Sequence, residues 1–262
     1  MSDREVIYRL LSAVVWPSEA YWRAIEMAPL RSCDALRSPL LEVGCGEGGF
    51  TEELGLEVDH AIDLNPRAAE VAAARPNYGT VEVIDMHDLA GRDKGRYRTV
   101  FANSVLEHVE GLEDALATIR RLLAPGGALV ATVPLVDMNR HLTLSGDAYV
   151  SWRQGRLEHR NLWSRDEWRG ALSNAGFGEV GFTGYLPGDE CSYWDRIDAI
   201  GNVGVGRVRV APLARRAGGM LPAGARARLK RAISARLSRH IGTDGGAESC
   251  AALVVARAPE QS

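Results

Sequence analysis

The run Leu40-Leu-Glu-Val-Gly-Cys-Gly-Glu-Gly-Gly-Phe50 carries the first recognisable chemistry. An apolar strand that ends in Gly-x-Gly lets the backbone turn sharply and approach a ligand closely, because glycine has no Cβ. The helix that follows aims its free N–H groups at the same spot. Gly44, Gly46, Gly48 and Gly49 satisfy both Gly-x-Gly-x-Gly and the dinucleotide pattern Gly-x-Gly-x-x-Gly, so the glycines by themselves admit more than one nucleotide-like ligand. Asp63, 19 residues after Gly44, is placed to accept the two hydroxyls of a ribose. Its competing task, capping the helix that starts at Pro66, falls more naturally to Asn65. Glu42 puts a carboxylate where dinucleotide folds keep an apolar side chain, which favours a ligand bearing positive charge.

Proton chemistry near neutral pH points to histidine. His108, His141 and His159 are candidate general bases, with Asp137 and Glu190 as weaker candidates. His108 follows Glu107 just beyond a predicted strand, where it can also serve as a packing residue at a helix end. Tyr149, Trp152, Trp163 and Trp168 can line an acceptor pocket, although their spacing is that of helix core. Tyr21 and Trp22 can close over the ligand from an N-terminal helix. The four cysteines, Cys33, Cys45, Cys191 and Cys250, show no metal-like spacing, so neither a zinc site nor a disulfide framework is expected.

These residues need a scaffold, and the chain predicts one. Short apolar strands are expected at 40–43, 59–64, 80–84, 98–102, 128–133, 179–186 and 251–256, with helices over 66–74, 112–123 and 164–175. Strands alternating with helices imply a parallel, doubly wound sheet. Ser18 is read as the cap of a helix from Glu19 toward Leu30. Ser164-Arg-Asp-Glu167 is a capping box, and Pro125-Gly-Gly127 is read as a turn. The expected layout is an N-terminal helical segment (1–38), a core (39–186) with an insertion at 134–163, a basic helical insertion (187–248), and a final strand and tail (249–262).

The chain has 262 residues, 46% hydrophobic and 25% charged, with a net charge of −3, which suits a globular α/β domain with insertions. Arginine outnumbers lysine 29 to 2, a bias expected of a GC-rich bacterial genome. No signal peptide or apolar run of membrane-spanning length is expected, and the scattered cysteines suit a reducing cytosol. The charge is uneven: Ala199 to Thr243 holds ten basic residues and no acid. Leu229, Ile233 and Leu237 recur there at four-residue spacing, as in a basic amphipathic helix. Three expectations follow: peripheral contact with an anionic membrane through 207–240, at the inner face of the membrane, a hold on a phosphorylated acceptor, or a solvated helix that covers a sheet edge. Nucleic-acid binding is not expected, because 195–250 lacks interleaved aromatic residues.

Taken in order, Leu41-Glu-Val-Gly-Cys-Gly-Glu-Gly48, Ala61-Ile-Asp-Leu-Asn-Pro66, Ile84-Asp-Met-His-Asp-Leu89, Phe101-Ala-Asn-Ser-Val-Leu-Glu-His-Val109 and Leu122-Leu-Ala-Pro-Gly-Gly127 resemble the motifs of class I S-adenosylmethionine (SAM)-dependent methyltransferases. The likeness is greatest to the bacterial small-molecule and glycan branch with a type 11-like domain. The resemblance implies a Rossmann-like, doubly wound, seven-stranded sheet with insertions after strands five and six, and SAM as cofactor. It also implies a binding set of Glu42, Gly44, Cys45 and Gly46 from the first motif, and Asp63 and Leu64 from the second. Asp85 would meet the adenine amino group, the Met86 N–H a ring nitrogen, and Asn103 and Ser104 would border the methionine and the acceptor. Where methyltransferases acting on adenine or amide nitrogens carry Asn/Asp-Pro-Pro-Tyr, this chain has Asn103-Ser-Val-Leu106, which argues against N-methylation of nucleic acid or protein. A small-molecule or glycan- or lipid-linked acceptor, methylated on oxygen with His108 or His159 as base, is therefore expected. The alternatives are an NAD-dependent oxidoreductase using the same loop and Asp63, and a non-catalytic SAM-binding protein at a membrane.

Overall fold

The computed structural model of the chain describes residues 2–11, 16–92, 94–144, 146–205, 208–242 and 248–260. Two helices lead in, α1 (Asp3–Leu10) and α2 (Pro17–Arg31). The alternating part follows: β1 (Leu40–Val43), α3 (Gly49–Leu54), β2 (Val58–Asp63), α4 (Pro66–Ala73), β3 (Tyr78–Val83), β4 (Tyr97–Asn103), α5 (Leu112–Leu122) and β5 (Leu123–Pro134). Then come α6 (Asp147–Leu157), α7 (Arg165–Asn174), β6 (Val180–Tyr185) and α8 (Gly188–Asn202). A small ribbon of β7 (Gly204–Val205) and β8 (Val208–Arg209) precedes α9 (Val210–Gly219), α10 (Ala223–Leu237) and β9 (Ala251–Arg257).

Seven strands form one sheet in the order β3-β2-β1-β4-β5-β9-β6. The pairs among β1 to β5 are parallel, as expected, but β9 runs antiparallel to both neighbours. Its direction has a topological cause. The chain leaves β6 at the end of the sheet that carries the glycine loop and re-enters from that same end: the Cys250 N–H donates to Leu186 O, and the Leu135 N–H to Cys250 O.

Alternation along the central strands builds two cores. Val100 and Ala102 of β4, with Leu129, Ala131 and Val133 of β5, pack against Leu116 and Ile119 of α5 and Trp168 and Leu172 of α7. The intervening Phe101, Ala128 and Val130 face Leu30 of α2 and Ala72 of α4. Burial on both faces is why these strands are apolar runs rather than alternating ones. Asn65 caps α4, its Oδ1 accepting from the N–H groups of Arg67 and Ala68 ahead of Pro66 at the first turn. The expected capping box of α7 forms between Ser164 and Glu167.

Several local expectations are corrected. Ser18 caps nothing: the N-cap of α2 is Trp16, and the buried Ser18 hydroxyl donates to Asp198 Oδ1 at 2.8 Å. Pro125-Gly-Gly127 lies within β5, where the register against β4 shifts between Tyr97 and Thr99, as at a β-bulge. The insertion at 134–163 contains α6, which has no apolar period to betray it because its one fully buried residue is Arg153. That guanidinium is neutralised by Asp195 (2.7 Å) and Asp198 (2.5 Å) of α8 and lies 4.6 Å from the Trp194 ring centroid.

The apolar stripe of α10 turns inward only in part: Ile233 and Leu237 pack in the cluster that holds α1, with Lys230 Nζ 5.0 Å from the centroid of the Tyr8 ring, while Leu229 is exposed. α9 buries none of its residues. Arg207 and Thr243 of the basic stretch lie outside the described residues. No described helix is long and apolar enough to cross a membrane. Trp163 and Trp168 pack together at 5.0 Å in the core, and Tyr149 bonds to Asp195, so these aromatics serve packing.

Candidate active site

The parallel strands end together, and the order reverses between β1 and β4, which opens a crevice at that switch point. The loops after β1 and β4 close on each other there. Gly44 has φ +68°, and a Cβ on it would lie 2.6 Å from Val105 Cγ2, so only glycine fits. Asp63, at the end of β2, holds the loop from the other side. Its Oδ2 accepts from the Gly46 N–H (2.7 Å) and its Oδ1 from the Asn65 N–H (2.8 Å).

Two cavities adjoin at Gly44. One of about 460 Å³ crosses the ends of β2, β3 and β4 and is lined by Asp63, Leu64, Asp85, Met86 and Ser104. The other, of about 630 Å³, covers the glycine loop and is lined by Glu42, Cys45, Gly46, Asn103 and Arg23. All ten residues expected at a cofactor therefore lie on these two walls. Asp85 accepts from the His87 N–H at 2.9 Å and meets His87 Nδ1 at 2.7 Å, which holds the Asp85 carboxyl below its usual range and raises His87. Glu42 is more buried than its expected role suggests. Its oxygens accept from Thr51 Oγ1 (2.5 Å) and Tyr78 OH (2.6 Å), and burial pushes its carboxyl up to about 7. Burial likewise pushes the Cys45 thiol up to about 12.

A third cavity of about 320 Å³ is lined by Trp22, Trp194, Met138, Leu157 and His159. It shares Arg23 with the glycine-loop cavity, and Ser104 and His108 with the first. At this junction stands Glu26 of α2, fully buried, which the sequence reading passed over. It accepts from Arg23 Nη1 (2.6 Å), Ser104 Oγ (2.8 Å), Tyr185 OH (3.1 Å) and Asn103 Nδ2 (3.2 Å). Burial works to raise its carboxyl, but the Arg23 charge and the hydroxyl hydrogen bonds outweigh it and hold Glu26 below the usual value. Ser104 sits at φ 51°, uncommon for a residue with a side chain. Its N–H donates to Thr132, and its hydroxyl turns toward α2. The signal for Glu26 was an acid surrounded by the apolar residues Ala24, Ile25 and Met27 on one helix.

The two candidate bases come together across 51 residues of chain, with ring centroids 5.5 Å apart. Burial, then the neighbouring His108, lowers His159 to about 4, while burial pushes the adjacent Glu107 up to about 8. The other candidates are elsewhere. Asp137 and His141 line a separate small cavity, and Glu190 accepts from the Gly242 N–H. Tyr21 is core, its hydroxyl donating to His240 O at 2.6 Å, whereas Trp22 reaches the third cavity and meets Trp194 at 5.0 Å.

A sheet of this order, entered by a glycine loop with acids at the ends of β2 and β3, defines the class I SAM-dependent methyltransferase fold. The methyltransferase domain family matches residues 22–180, and the chain belongs to it. This decides between the ligands the glycine loop admits, in favour of SAM over a nicotinamide dinucleotide. A ubiquinone biosynthesis O-methyltransferase of Xanthomonas oryzae pv. oryzae is 35% identical over 126 residues, 45% of this chain and 52% of that enzyme. A hybrid PKS-NRPS synthetase of Trichoderma harzianum is 29% identical over 159 residues, which is 54% of this chain and 4% of that protein. The chain thus spans about half the length of the first relative and a small part of the second. Among solved structures, a SAM-dependent methyltransferase from Thermotoga maritima shares the fold at a TM-score of 0.59 and 15% identity, over 92% of this chain and 90% of that one. A phosphoethanolamine N-methyltransferase 2 of Haemonchus contortus, in complex with phosphomonomethylethanolamine and S-adenosylhomocysteine, shares it at 0.53 and 17% identity, over 84% and 48%.

The walls suit this cofactor. Asn103 Oδ1 is buried beside the glycine-loop cavity and accepts no hydrogen bond among the described residues, which leaves an acceptor open for an ammonium group.

Proposed function

We propose that this chain transfers the methyl group of SAM to an oxygen of a small-molecule or glycan- or lipid-linked acceptor. The observation that carries the reading is the junction at Arg23 and Ser104, where the third cavity meets both walls assigned to the cofactor. When bound, SAM supplies a methyl group already activated on a sulfonium, so the protein's work is binding, alignment and exclusion of water.

Each carboxylate offers about four lone-pair sites. Asp63 uses two on the Gly46 and Asn65 N–H groups, leaving two for ribose hydroxyls. Asp85 stands beside Met86 for the adenine edge, and Asn103 Oδ1 accepts from the methionine ammonium. Arg23 engages Glu26 and Ser104 through Nη1, and its other N–H groups suit a carboxylate. Trp22 and Trp194 form an apolar wall for the acceptor. The ubiquinone biosynthesis relative, an O-methyltransferase by name, supports oxygen as the target. Calorimetry with S-adenosylhomocysteine tests the cofactor assignment: folded protein that does not bind it ends this reading. A turnover screen over phenolics, nucleotide sugars and lipid-linked sugars then tests the acceptor. A product methylated on nitrogen or carbon removes the oxygen assignment.

We also propose that α9 rests on an anionic membrane, because it exposes Leu213, with exposed Met220 just past its end, beside Arg215 and Arg216. Leu213→Glu is expected to reduce co-sedimentation with anionic liposomes, and equal pelleting removes the proposal.

A further inference from the structure

The third cavity holds a side-chain cluster that proton transfer alone does not account for. One ligating atom each of Glu107, His108 and His159 lies within 4.8 Å of the other two. Glu107 is buried at 2% exposure, yet its Oε2 accepts no hydrogen bond among the described residues. Its Oε1 is 3.8 Å from His108 Nε2, beyond hydrogen-bond distance. A buried carboxyl with an oxygen left unpartnered must either hold a proton or meet a cation, and two imidazoles stand beside this one.

Both imidazoles are set for ligation. His108 Nδ1 is 3.1 Å from the Glu158 carbonyl, which accepts only if Nδ1 carries the proton; the Nε2 lone pair is then free. His159 Nδ1 is 2.9 Å from Gln154 Oε1, with the same consequence for its Nε2. A ring proton donated to a carbonyl oxygen, leaving the other nitrogen's lone pair free, is the arrangement metal-ligating histidines adopt. The backbone locks the three together. The N–H groups of Arg160 and Asn161 both donate to Glu107 O (2.8 and 2.9 Å), and Asn161 Nδ2 donates to Leu106 O (2.9 Å) and Val109 O (2.7 Å). Glu158, whose carbonyl orients His108, adopts φ 56°. The segment after α6 is therefore stapled to the turn after β4, and the staple is what brings His159 to His108.

We propose that Glu107, His108 and His159 bind a divalent transition-metal cation at the wall of the third cavity, with coordination positions left open toward it. Two imidazoles and one carboxylate suit manganese, iron, cobalt or zinc rather than magnesium or calcium. Metal–ligand bonds of about 2.1 Å draw such atoms to roughly 3.0–3.4 Å of one another, a closure in which the partly exposed His108 side chain takes part, from 3.8 Å between its Nε2 and Glu107 Oε1. The open positions suit an acceptor with two neighbouring oxygens, and a coordinated hydroxyl loses its proton more readily. This role rests on the methyl-transfer reading; the binding of the cation does not.

The test uses the full chain, stripped with chelator and titrated with Co²⁺ while its visible absorption is followed, with Zn²⁺ in competition. One equivalent of Co²⁺ bound, displaced by Zn²⁺, is expected. Loss of a ligand costs at least as much as loss of an outer-shell partner, so His159→Ala should weaken Co²⁺ binding by about a hundredfold or more. Its S-adenosylhomocysteine affinity should stay within about twofold, since His159 lines only the third cavity. His108→Ala is the second variant, with its folding checked by circular dichroism. Absence of stoichiometric Co²⁺ binding overturns the proposal, as does binding retained in both folded variants. Co²⁺ binding without any S-adenosylhomocysteine binding leaves the metal site standing and sinks the methyltransferase reading alone.

Discussion

Replacing Glu26 with alanine should break the contact between α2 and the end of β4. The carboxylate is fully buried and takes four donors, whereas Arg23 keeps 28% of its side chain exposed. Removing one partner of a buried ion pair costs about 3–5 kcal/mol, and the exposure of Arg23 puts this term near the lower figure. The Tyr185 hydroxyl loses its acceptor in a buried setting, which adds about 1–2 kcal/mol. Asn103 and Ser104 border cavities and can turn to water. The sum is about 4–5 kcal/mol, or roughly 8–20 °C in Tm for a chain of this size. Urea denaturation measures it. Glu26→Gln keeps one acceptor oxygen and should lose only about 1–3 kcal/mol, which preserves the test if the alanine variant does not fold. The pH dependence has a definite sign. The folded carboxyl lies below the unfolded value of about 4.3, so the stabilisation is present above that value and is lost as pH falls through the folded one. The gap between wild type and Glu26→Gln should therefore narrow in acid. Destabilisation of Glu26→Ala by less than about 1 kcal/mol, or a gap that widens in acid, would refute the reasoning. S-adenosylhomocysteine affinity should fall about tenfold in Glu26→Gln as Asn103 and Arg23 lose register.

Asp63→Ala removes a charged acceptor worth about 1.5–3 kcal/mol, and calorimetry should show S-adenosylhomocysteine affinity reduced roughly ten- to hundredfold; unchanged affinity would mean that Asp63 only holds the loop. Arg153→Met leaves Asp195 and Asp198 without their buried cation and should cost about 3–5 kcal/mol in urea denaturation; near-wild-type stability would show that α6 is held by its apolar contacts instead. Burial raises the Glu42 carboxyl to about 7 in the folded chain, so its contribution is intact below the unfolded value and is lost as pH rises through about 7. Glu42→Gln should accordingly gain on wild type in ligand-free denaturation between pH 5 and pH 8, and a constant difference would count against a buried, protonating carboxyl.

Much of the fold is written locally. The apolar strands, Asn65 and Pro66 at the start of α4, and the Ser164–Glu167 capping box depend on neighbours within a few residues, so they can be read along the chain. The glycine loop belongs with them, because Gly44 and Gly46 owe their identity to backbone angles that only glycine adopts easily. The walls of the two adjoining cavities were legible for the same reason: each residue expected there sits at the end of a parallel strand or within three residues of it, and the sheet brings those ends together. What the sequence could not show were contacts between segments far apart in the chain. Glu26 reads as a surface acid on a helix until α2 lies across Asn103 and Ser104. Arg153 gives α6 no apolar period, because its burial depends on two acids of α8. His159 stood in an insertion with no readable structure, and only the Asn161 staple to the turn after β4 sets it beside His108 and Glu107. The sequence by itself determined the doubly wound sheet and the ligand-binding loops, which follow from local propensity and period. The tertiary structure alone decided the lining of the third cavity, because buried charges acquire partners only when distant helices pack.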